Sequence, residues 1–164
     1  MLLLIDAGNS RTKWGCYEQQ WLCTGVCLNN DIGNLERDWS ELPRPTRVVG
    51  CNVGGATLGE QIAKAAGRWH ITPEWIRARR SECGVTNSYS KPETLGADRW
   101  AALVGARNLE SGACLVVNAG TALTVDALAG DGTFLGGLIV PGFDLMHEAL
   151  ARSTAHLKVE GGRF

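Results

Sequence analysis

The feature that most constrains the fold is a motif that occurs twice, an apolar strand followed by a short polar turn. Residues 2–5 run into Asp6-Ala7-Gly8-Asn9-Ser10, and residues 115–117 run into Asn118-Ala119-Gly120-Thr121. A short apolar run that stops at Gly, Asn and Ser residues is typical of a buried strand ending in a turn. The repetition predicts a duplicated architecture, in which each copy of the motif begins a domain.

The elements expected after the first motif favour one fold class. Residues 13–17 and 21–28 are short β-rich stretches, so the first three strands are predicted to form an antiparallel meander. Alternating helices and strands follow, in the order β-β-β-α-β-α-β. This order is typical of the ribonuclease H-like half of an actin-like protein, and it predicts an α/β fold with two such domains. We expect the first domain at residues 1–112 and the beginning of an incomplete second domain at residues 113–164.

Periodicity and helix-breaking residues predict further elements. Helices are expected around residues 35–42, 58–66, 98–109 and 142–152, and strands at residues 47–52, 123–128 and 134–140. Asp31 is a candidate cap for the first helix, because Asp side chains accept hydrogen bonds from free backbone N–H groups. Residues 85–95 are predicted to form a polar loop.

Composition excludes some classes of function. A net charge of −1 provides no broad basic surface for nucleic acid, so we expect Arg77, Arg79 and Arg80 in a solvated loop. No apolar run reaches the roughly 18 residues of a membrane-spanning helix, so no membrane partner is expected. The cysteines lack the spacing of a zinc site and no signal peptide precedes them, which indicates structural thiols in a cytoplasmic protein.

Both turns contain the residue types that phosphate binding requires. Glycine lets the backbone approach a phosphate and direct N–H groups at its oxygens, and a Ser or Thr hydroxyl adds a donor. Asp6, at the end of its strand, can hold Mg²⁺ through water. For either turn alone, the conformational preference of turns for Asp, Gly, Asn and Ser explains the pattern equally well. Two such turns that face each other would hold a triphosphate between them.

A third motif precedes and begins the helix predicted at residues 98–109. It reads Tyr89-Ser90-Lys91-Pro92-Glu93-Thr94-Leu95-Gly96-Ala97-Asp98-Arg99-Trp100. A carboxylate such as that of Asp98 can accept the proton of an alcohol that attacks a phosphorus atom, and Arg99 offers a planar donor fork that matches a carboxylate. A purely structural interpretation also accounts for both residues, with Asp98 capping the helix and Arg99 on the surface.

Together these motifs resemble one protein family. DxGNS with Lys13, N-x-Y-x-x-P-x-x-LGADRW, AGTALTVD and LGGLIVPG occur here in the order found in type III pantothenate kinases and their relatives, the Bvg accessory factors. The resemblance covers essentially the whole chain. It implies ATP-dependent phosphorylation of pantothenate to 4′-phosphopantothenate, the first step of coenzyme A biosynthesis. The LGADRW string argues against an exopolyphosphatase-like hydrolase of the same superfamily, whereas a non-catalytic regulatory or binding protein of this fold stays an alternative.

The resemblance also implies roles for individual residues. ATP is expected to contact Asp6, Ala7, Gly8, Asn9, Ser10, Arg11, Thr12 and Lys13 in the first loop, and Gly120 and Thr121 in the second. Pantothenate is expected to contact Tyr89, Gly96, Ala97, Asp98 and Arg99, with Asp98 as the catalytic base. Asp6 would hold Mg²⁺ through water.

Two departures from the family pattern affect these expectations. The family uses an aspartate at the position of Asn118 to ligate K⁺ or another monovalent cation such as NH₄⁺, and an uncharged amide is expected to bind such a cation more weakly. Family members also continue further and form a homodimer whose interface builds the active site. We therefore expect residues 1–164 by themselves to be inactive or nearly so, and to associate through an unpaired sheet edge.

Overall fold

Residues 1–153 are described by a computed structural model, and the last eleven residues of the predicted second domain, residues 154–164, lie outside the described part. The described residues form ten strands and four α-helices. They are β1 (Leu2–Ala7), β2 (Arg11–Glu18), β3 (Gln20–Leu28), α1 (Leu35–Asp38), β4 (Arg47–Asn52), α2 (Ala56–Ala66), β5 (Glu74–Trp75), β6 (Ser81–Glu82), β7 (Val85–Asn87), α3 (Ala97–Leu109), β8 (Cys114–Ala119), β9 (Ala122–Leu128), β10 (Thr133–Pro141) and α4 (Phe143–Ser153).

The first sheet has the strand order β3-β2-β1-β4-β5. Its β1, β2 and β3 form the predicted antiparallel meander, with Asp6 opposite Lys13 across β1 and β2. Gln19, at a φ of 59°, makes the tight turn between β2 and β3. β4 lies parallel to β1 on its other side, and a parallel neighbour requires a crossover connection, which residues 29–46 provide. This order confirms the predicted ribonuclease H-like arrangement.

The second sheet has the strand order β6-β7-β10-β9-β8. Its β8, β9 and β10 repeat the antiparallel meander of β1, β2 and β3, as the repeated motif predicts. Among the described residues, β8 pairs only with β9. Its outward-facing Leu115 and Val117 are 68% and 58% exposed. An exposed apolar face beside an unpaired strand edge favours association with another polypeptide. Such association stays a prediction for this chain.

Two hydrophobic clusters form the core. The first lies on the first sheet and includes Leu3, Val48 and Ile62, with the Trp39 ring stacked on that of Trp69 at a centroid distance of 5.7 Å. The second is built around the inner face of the second sheet. It contains Ala78, Val85, Leu95, Trp100, Leu103, Leu128 and Phe134. Helix α3, which we expected within the first domain, therefore contributes its buried face to the second cluster.

Some predicted boundaries are wrong for identifiable reasons. Asp31 does not cap a helix, because the chain already turns helical at Asn29 and Asp31 falls inside a 3₁₀ segment, Asn29–Asn34. The helix expected around residues 35–42 is reduced to α1. The polar loop expected at residues 85–95 contains β7 and a 3₁₀ turn, Pro92–Thr94. Strand β7 forms because β10, a distant segment, supplies its parallel partner.

Other expectations concerned membranes, metals and cysteines. No helix in the described residues is long and apolar enough to cross a membrane. Nor does this part of the chain contain a group of three or more His, Cys, Asp or Glu side chains suited to a metal ion. All six cysteines are free thiols, of which Cys16, Cys27 and Cys51 are buried and Cys83 is exposed.

The packing of α3 generates a matched test of stability. Leu103 is fully buried in the second cluster, whereas Leu109, on the same helix, is 87% exposed. Leu103→Ala should lower the free energy of unfolding by about 2–5 kcal/mol, because it leaves a cavity that the core cannot fill. Leu109→Ala should change it by less than about 0.5 kcal/mol. Urea denaturation of both variants measures the difference, and equal effects would show that α3 does not pack as described.

Candidate active site

The first loop lies where β1 ends and β2 begins. The backbone N–H of Gly8 donates to the carbonyl of Arg11 at 3.0 Å, which closes the turn. The Asp6 carboxylate is half-exposed beside it, with Lys13 Nζ at 3.9 Å from Asp6 Oδ2. Asn9, Ser10 and Arg11 are exposed, so the loop presents one carboxylate, two cationic side chains and a hydroxyl to solvent.

Asn29 holds this loop in shape. Its Nδ2 donates to the carbonyl oxygens of Gly8 and Asn9, each at 2.9 Å, and its Oδ1 accepts a hydrogen bond from the Thr12 hydroxyl at 2.9 Å. Thr12 and Ala7 are fully buried, so these two predicted contact residues shape the loop from within. Sequence reasoning missed Asn29, because an Asn after a strand is an ordinary turn signal.

A second glycine turn, residues 52–55, lies beside the first loop at the end of β4. The N–H of Val53 donates to the carbonyl of Ala7 at 2.9 Å. A Cβ on Gly54 would come within 2.6 Å of the Gly8 carbonyl oxygen, so only glycine allows this approach. Gly55 adopts a φ of 100°, which also favours glycine. The Gly54-Gly55 pair was a detectable signal for this part of the site.

The two copies of the strand-turn motif meet in the structure. The hydroxyl oxygens of Ser10 and Thr121, 111 residues apart in the chain, are 2.8 Å apart. Gly142, just before α4, donates its N–H to the carbonyl of Thr121 at 2.9 Å. A Cβ on Gly142 would overlap the carbonyl oxygens of Gly120 and Thr121. The two turns therefore face each other, as expected, at the ends that carry the Ser10 and Thr121 hydroxyls.

Asp98 lies in the first turn of α3, and the residues before it border the same cleft as Val53 of the second glycine turn. Its Oδ1 accepts a hydrogen bond from the backbone N–H of Arg99 at 2.8 Å, at the helix end where carboxylates are favoured. A Cβ on Gly96 would lie 2.5 Å from Asp98 Oδ1, so glycine leaves room for this carboxylate. A cleft borders Gly96 and Ala97, with Val53 and Trp75 in its wall.

Cys51 connects the environments of the two carboxylates. Its Sγ is 3.4 Å from Asp6 Oδ1. Burial, the Asp6 carboxylate and, to a lesser degree, the Asp98 carboxylate raise the pKa of the Cys51 thiol to about 12. Asp6 and Cys51 are also aligned in register across β1 and β4, so this thiol and the Asp6 carboxylate lie at the same edge of the first sheet.

Arg99 is not on the surface, so the surface position that the purely structural interpretation predicted is wrong. It is only 7% exposed, and its guanidinium forms an ion pair with Asp126, which is fully buried. Hydrogen bonding to Asp126 is the main factor that raises the pKa of Arg99 above its usual value, and the Tyr89 hydroxyl contributes in the same direction. Two residues predicted to contact the substrate, Tyr89 and Arg99, are thus brought together. Asp126 ends the AGTALTVD motif, whose sequence pattern alone indicates no role for it.

The N-x-Y-x-x-P motif has a structural basis. Buried Asn87 accepts the N–H of Tyr89 at 3.0 Å and donates to the carbonyl of Pro92 at 3.2 Å, so one side chain shapes the whole segment. Arg80 Nη1 also donates to the carbonyl oxygens of Asn87 and Tyr89, at 2.9 and 2.8 Å, and Nη2 donates to that of Ser90 at 3.1 Å. Arg80 is exposed in a loop with Arg77 and Arg79, as expected, and its guanidinium additionally binds three carbonyls.

Asn118 lies at the exposed end of β8, directly opposite Thr124 of β9. Thr124 Oγ1 is buried and has no hydrogen-bond partner. Gly120 and Thr121 follow Asn118 on the exposed second loop. The predicted site residues thus lie on two loops with their flanking strand ends, on the segment after β7 that contains Tyr89, and at the beginning of one helix. Asn118 lies at the base of the second loop.

Comparisons with known proteins agree on the family. A family model for type III pantothenate kinases matches residues 2–163. The type III pantothenate kinase of Nitrosospira multiformis is 49% identical over 165 residues, which cover 100% of this chain and 63% of that protein. The type III pantothenate kinase of Aromatoleum aromaticum is 50% identical, with coverages of 100% and 68%.

Solved structures with this architecture are more distant in sequence. A Campylobacter jejuni protein assigned to the Baf family of transcriptional activators has a TM-score of 0.58 at 20% identity, covering 98% of this chain and 68% of that one. A Sinorhizobium meliloti protein assigned as a 2-dehydro-3-deoxygalactonokinase has a TM-score of 0.57 at 16% identity, covering 94% and 58%. At such identities the likeness concerns the fold alone.

The two sheets and the facing loops between them define an α/β protein of the actin-like, ribonuclease H-like class. Within that class, the chain belongs to the type III pantothenate kinase family. It spans 63% of the length of its Nitrosospira relative.

The environment of Cys51 leads to a chemical test of this geometry. At pH 8, iodoacetamide should modify exposed Cys83 in the native protein and leave Cys51 unmodified. A pKa of about 12 keeps Cys51 protonated, and only the thiolate is an effective nucleophile. Peptide mass spectrometry gives the extent of modification, and denatured protein, in which all the cysteines should react, is the control. Equal labelling of both residues in the native protein would contradict the buried contact with Asp6.

Proposed function

We propose that the protein of which these residues are part transfers the γ-phosphoryl group of ATP to the primary alcohol of pantothenate, producing 4′-phosphopantothenate. Family membership supports the substrate pair. The contact between the Ser10 and Thr121 hydroxyls, 2.8 Å apart, is the observation that carries the proposal within this chain. It joins the two glycine turns at one point in space, although they are 111 residues apart in the chain.

The first and second loops would bind the phosphates of ATP from two sides. Backbone N–H groups near Gly8 and Gly120, together with the Ser10 and Thr121 hydroxyls, are donors suited to phosphate oxygens. Arg11 and Lys13 add positive charge at the exposed side of the first loop. Contacts of this kind hold the donor phosphate in line with the acceptor, which supplies most of the catalysis in phosphoryl transfer.

The donor set beside the first loop fits a hydrated Mg²⁺. Asp6 is a carboxylate at a strand end with 49% of its side chain exposed, and Mg²⁺ in such sites usually binds one or two carboxylates, water and phosphate oxygens. When bound, the ion would neutralise part of the charge on the transferring phosphoryl group. Lys13, 3.9 Å from Asp6, would hold the carboxylate in place and offset its repulsion of the phosphates.

Asp98 would accept the proton of the pantothenate alcohol as that alcohol attacks phosphorus. Its Oδ1 is already bound by the Arg99 N–H, which orients the carboxyl group so that Oδ2 is available to the substrate. Tyr89 and Arg99 would bind the far end of pantothenate, where a guanidinium suits its carboxylate. The carboxylate at one end of pantothenate and the alcohol at its other end would then both be held at fixed positions.

Three finer properties belong to the same proposal. Asn118 would contribute an amide oxygen to K⁺ or NH₄⁺, and the lack of charge on that ligand implies weak dependence on either ion. The active enzyme would be a cytoplasmic homodimer with the site at the interface, as in the family. The non-catalytic alternative has no particular observation in its favour, since relatives at about half identity are named as kinases.

The first test replaces the proposed base. Asp98→Asn in the full-length protein should lower kcat by about 10²–10⁴-fold, because the amide has nearly the same size but cannot accept the proton. Coupled ADP release with pantothenate measures the rate. The matched control is Asp131→Asn in the exposed β9–β10 turn, where the amide oxygen can still accept the N–H of Thr133. Full activity in Asp98→Asn would refute the assignment of the base.

A second test separates the ATP site from the pantothenate site. Asp6→Asn should raise the KM for Mg·ATP by about tenfold or more while the KM for pantothenate stays within about twofold, because only the ATP-bound metal uses this carboxylate. Raising the Mg²⁺ concentration should restore part of the loss. Unchanged ATP kinetics, or equal rises in both KM values, would argue against a metal role for Asp6.

A further inference from the structure

We propose that Asp126 and Gly137 are positioning residues, which together orient the Arg99 guanidinium so that its remaining edge, beside Tyr89, selects the carboxylate of the substrate. This inference rests on the proposed function, since it concerns how that same site recognises an acid. Asp126 lies on β9 and Gly137 on β10, directly opposite each other in the sheet, whereas Arg99 lies on α3.

The ion pair is buried and uses a defined part of the guanidinium. Arg99 Nε lies 3.1 and 3.0 Å from the two Asp126 carboxylate oxygens, and Arg99 Nη2 also donates to Asp126 Oδ1. Asp126 is 0% exposed. A buried charge without its partner is strongly unfavourable, so each residue requires the other. Because the guanidinium is planar and rigid, binding along the Nε–Nη2 edge also determines where Nη1 points.

Gly137 makes this orientation possible by leaving space. A Cβ at this position would overlap Asp126 Oδ1 and would lie 2.8 Å from Arg99 Nη2. The φ of Gly137 is not among the positive values of the chain, so backbone strain does not explain the glycine. The absence of a side chain is what lets the ion pair pack directly against β10.

Aromatic rings define the other side of the guanidinium. Arg99 Cζ lies 5.9 Å from the centroid of the Phe134 ring, and Phe134 contacts the Tyr89 ring at a centroid distance of 5.2 Å. Tyr89 is partly exposed while Asp126 is fully buried. Tyr89 is therefore the more exposed of these neighbours, and an anion bound beside it would meet the edge of the guanidinium that Asp126 does not use.

A merely structural ion pair between α3 and the second sheet would have different consequences. Its loss would lower stability and affect the use of both substrates together. A positioning role predicts a selective change in recognition of the acid, because a rotated or displaced fork no longer matches two carboxylate oxygens. The two roles can therefore be separated by comparing the KM values for pantothenate and ATP, and by comparing pantothenate with its primary carboxamide.

The experiment uses Gly137→Ala and Asp126→Asn in the full-length protein, with Gly105→Ala as a matched control. Gly105 is exposed on α3, and a Cβ there would meet nothing within 4 Å. Gly137→Ala keeps both charges, so it also covers the case in which Asp126→Asn fails to fold. Steady-state rates are measured with pantothenate or its carboxamide at saturating ATP, and with ATP varied at saturating pantothenate.

We expect Gly137→Ala and Asp126→Asn to raise the KM for pantothenate by about tenfold or more and to reduce the preference for acid over carboxamide by a similar factor. The KM for ATP should stay within about twofold, and Gly105→Ala should resemble wild type. A KM for pantothenate that is unchanged in Gly137→Ala, or that rises together with the KM for ATP, would overturn the positioning role.

A spectroscopic measurement distinguishes failure of this inference from failure of the proposed function. The Arg99 Nε–H should give a slowly exchanging NMR signal, identified by its loss in Arg99→Lys, because the group is buried and hydrogen-bonded. Gly137→Ala should shift it and Gly105→Ala should not. A rapidly exchanging signal in wild type would refute the buried pair. If the signal behaves as expected but the wild type does not phosphorylate pantothenate, the proposed function fails, and with it the role of the pair in that reaction.

Discussion

The parallel pairing of β1 with β4 determines where the site forms. It aligns Asp6 with Cys51 and Ala7 with Asn52, so two turns that are far apart in sequence leave the sheet at the same edge. The hydrogen bond from the Val53 N–H to the Ala7 carbonyl extends the pairing by one residue. Because of this extension, Gly54 comes into close contact with Gly8. Parallel strands put their carboxyl ends together, which is why ligand sites in open α/β sheets gather there.

The second sheet makes two polar contacts of different kinds with the segments that carry the predicted site residues, the first loop and α3. The Ser10–Thr121 contact is exposed and joins the loops, so a ligand could replace it with its own oxygens. The Arg99–Asp126 pair is buried and cannot be exchanged without leaving a charge unpaired. It therefore fixes α3 against β9, and with it the position of Asp98. A replaceable contact at the loops and a permanent one beneath the helix would suit the proposed site, which has to admit a nucleotide and hold an acceptor.

Much of the site was predictable because its residue types are tied to local backbone geometry. Asp6, Gly8 and Ser10 form a strand-turn motif, and its repetition at residues 118–121 pointed to the same chemistry. The supporting residues were not predictable in this way. Asn29 is an ordinary turn residue in the sequence, and it becomes the organiser of the first loop only because β3 returns beside it. Strand β7 looked like loop because three residues carry too little pattern without their partner on β10.

By itself, the sequence determined the meanders, the helical segments and the identity of the loops that carry polar residues, because strand alternation, helical periodicity and turn chemistry are local properties. Only the tertiary structure decided that Arg99 is buried, that Asp126 neutralises it and that Gly137 must lack a side chain. These three facts depend on residues from α3, β9 and β10 that converge in space. Burying the Arg99 charge costs free energy, and its ion pair with Asp126 offsets that cost only when the three elements have come together.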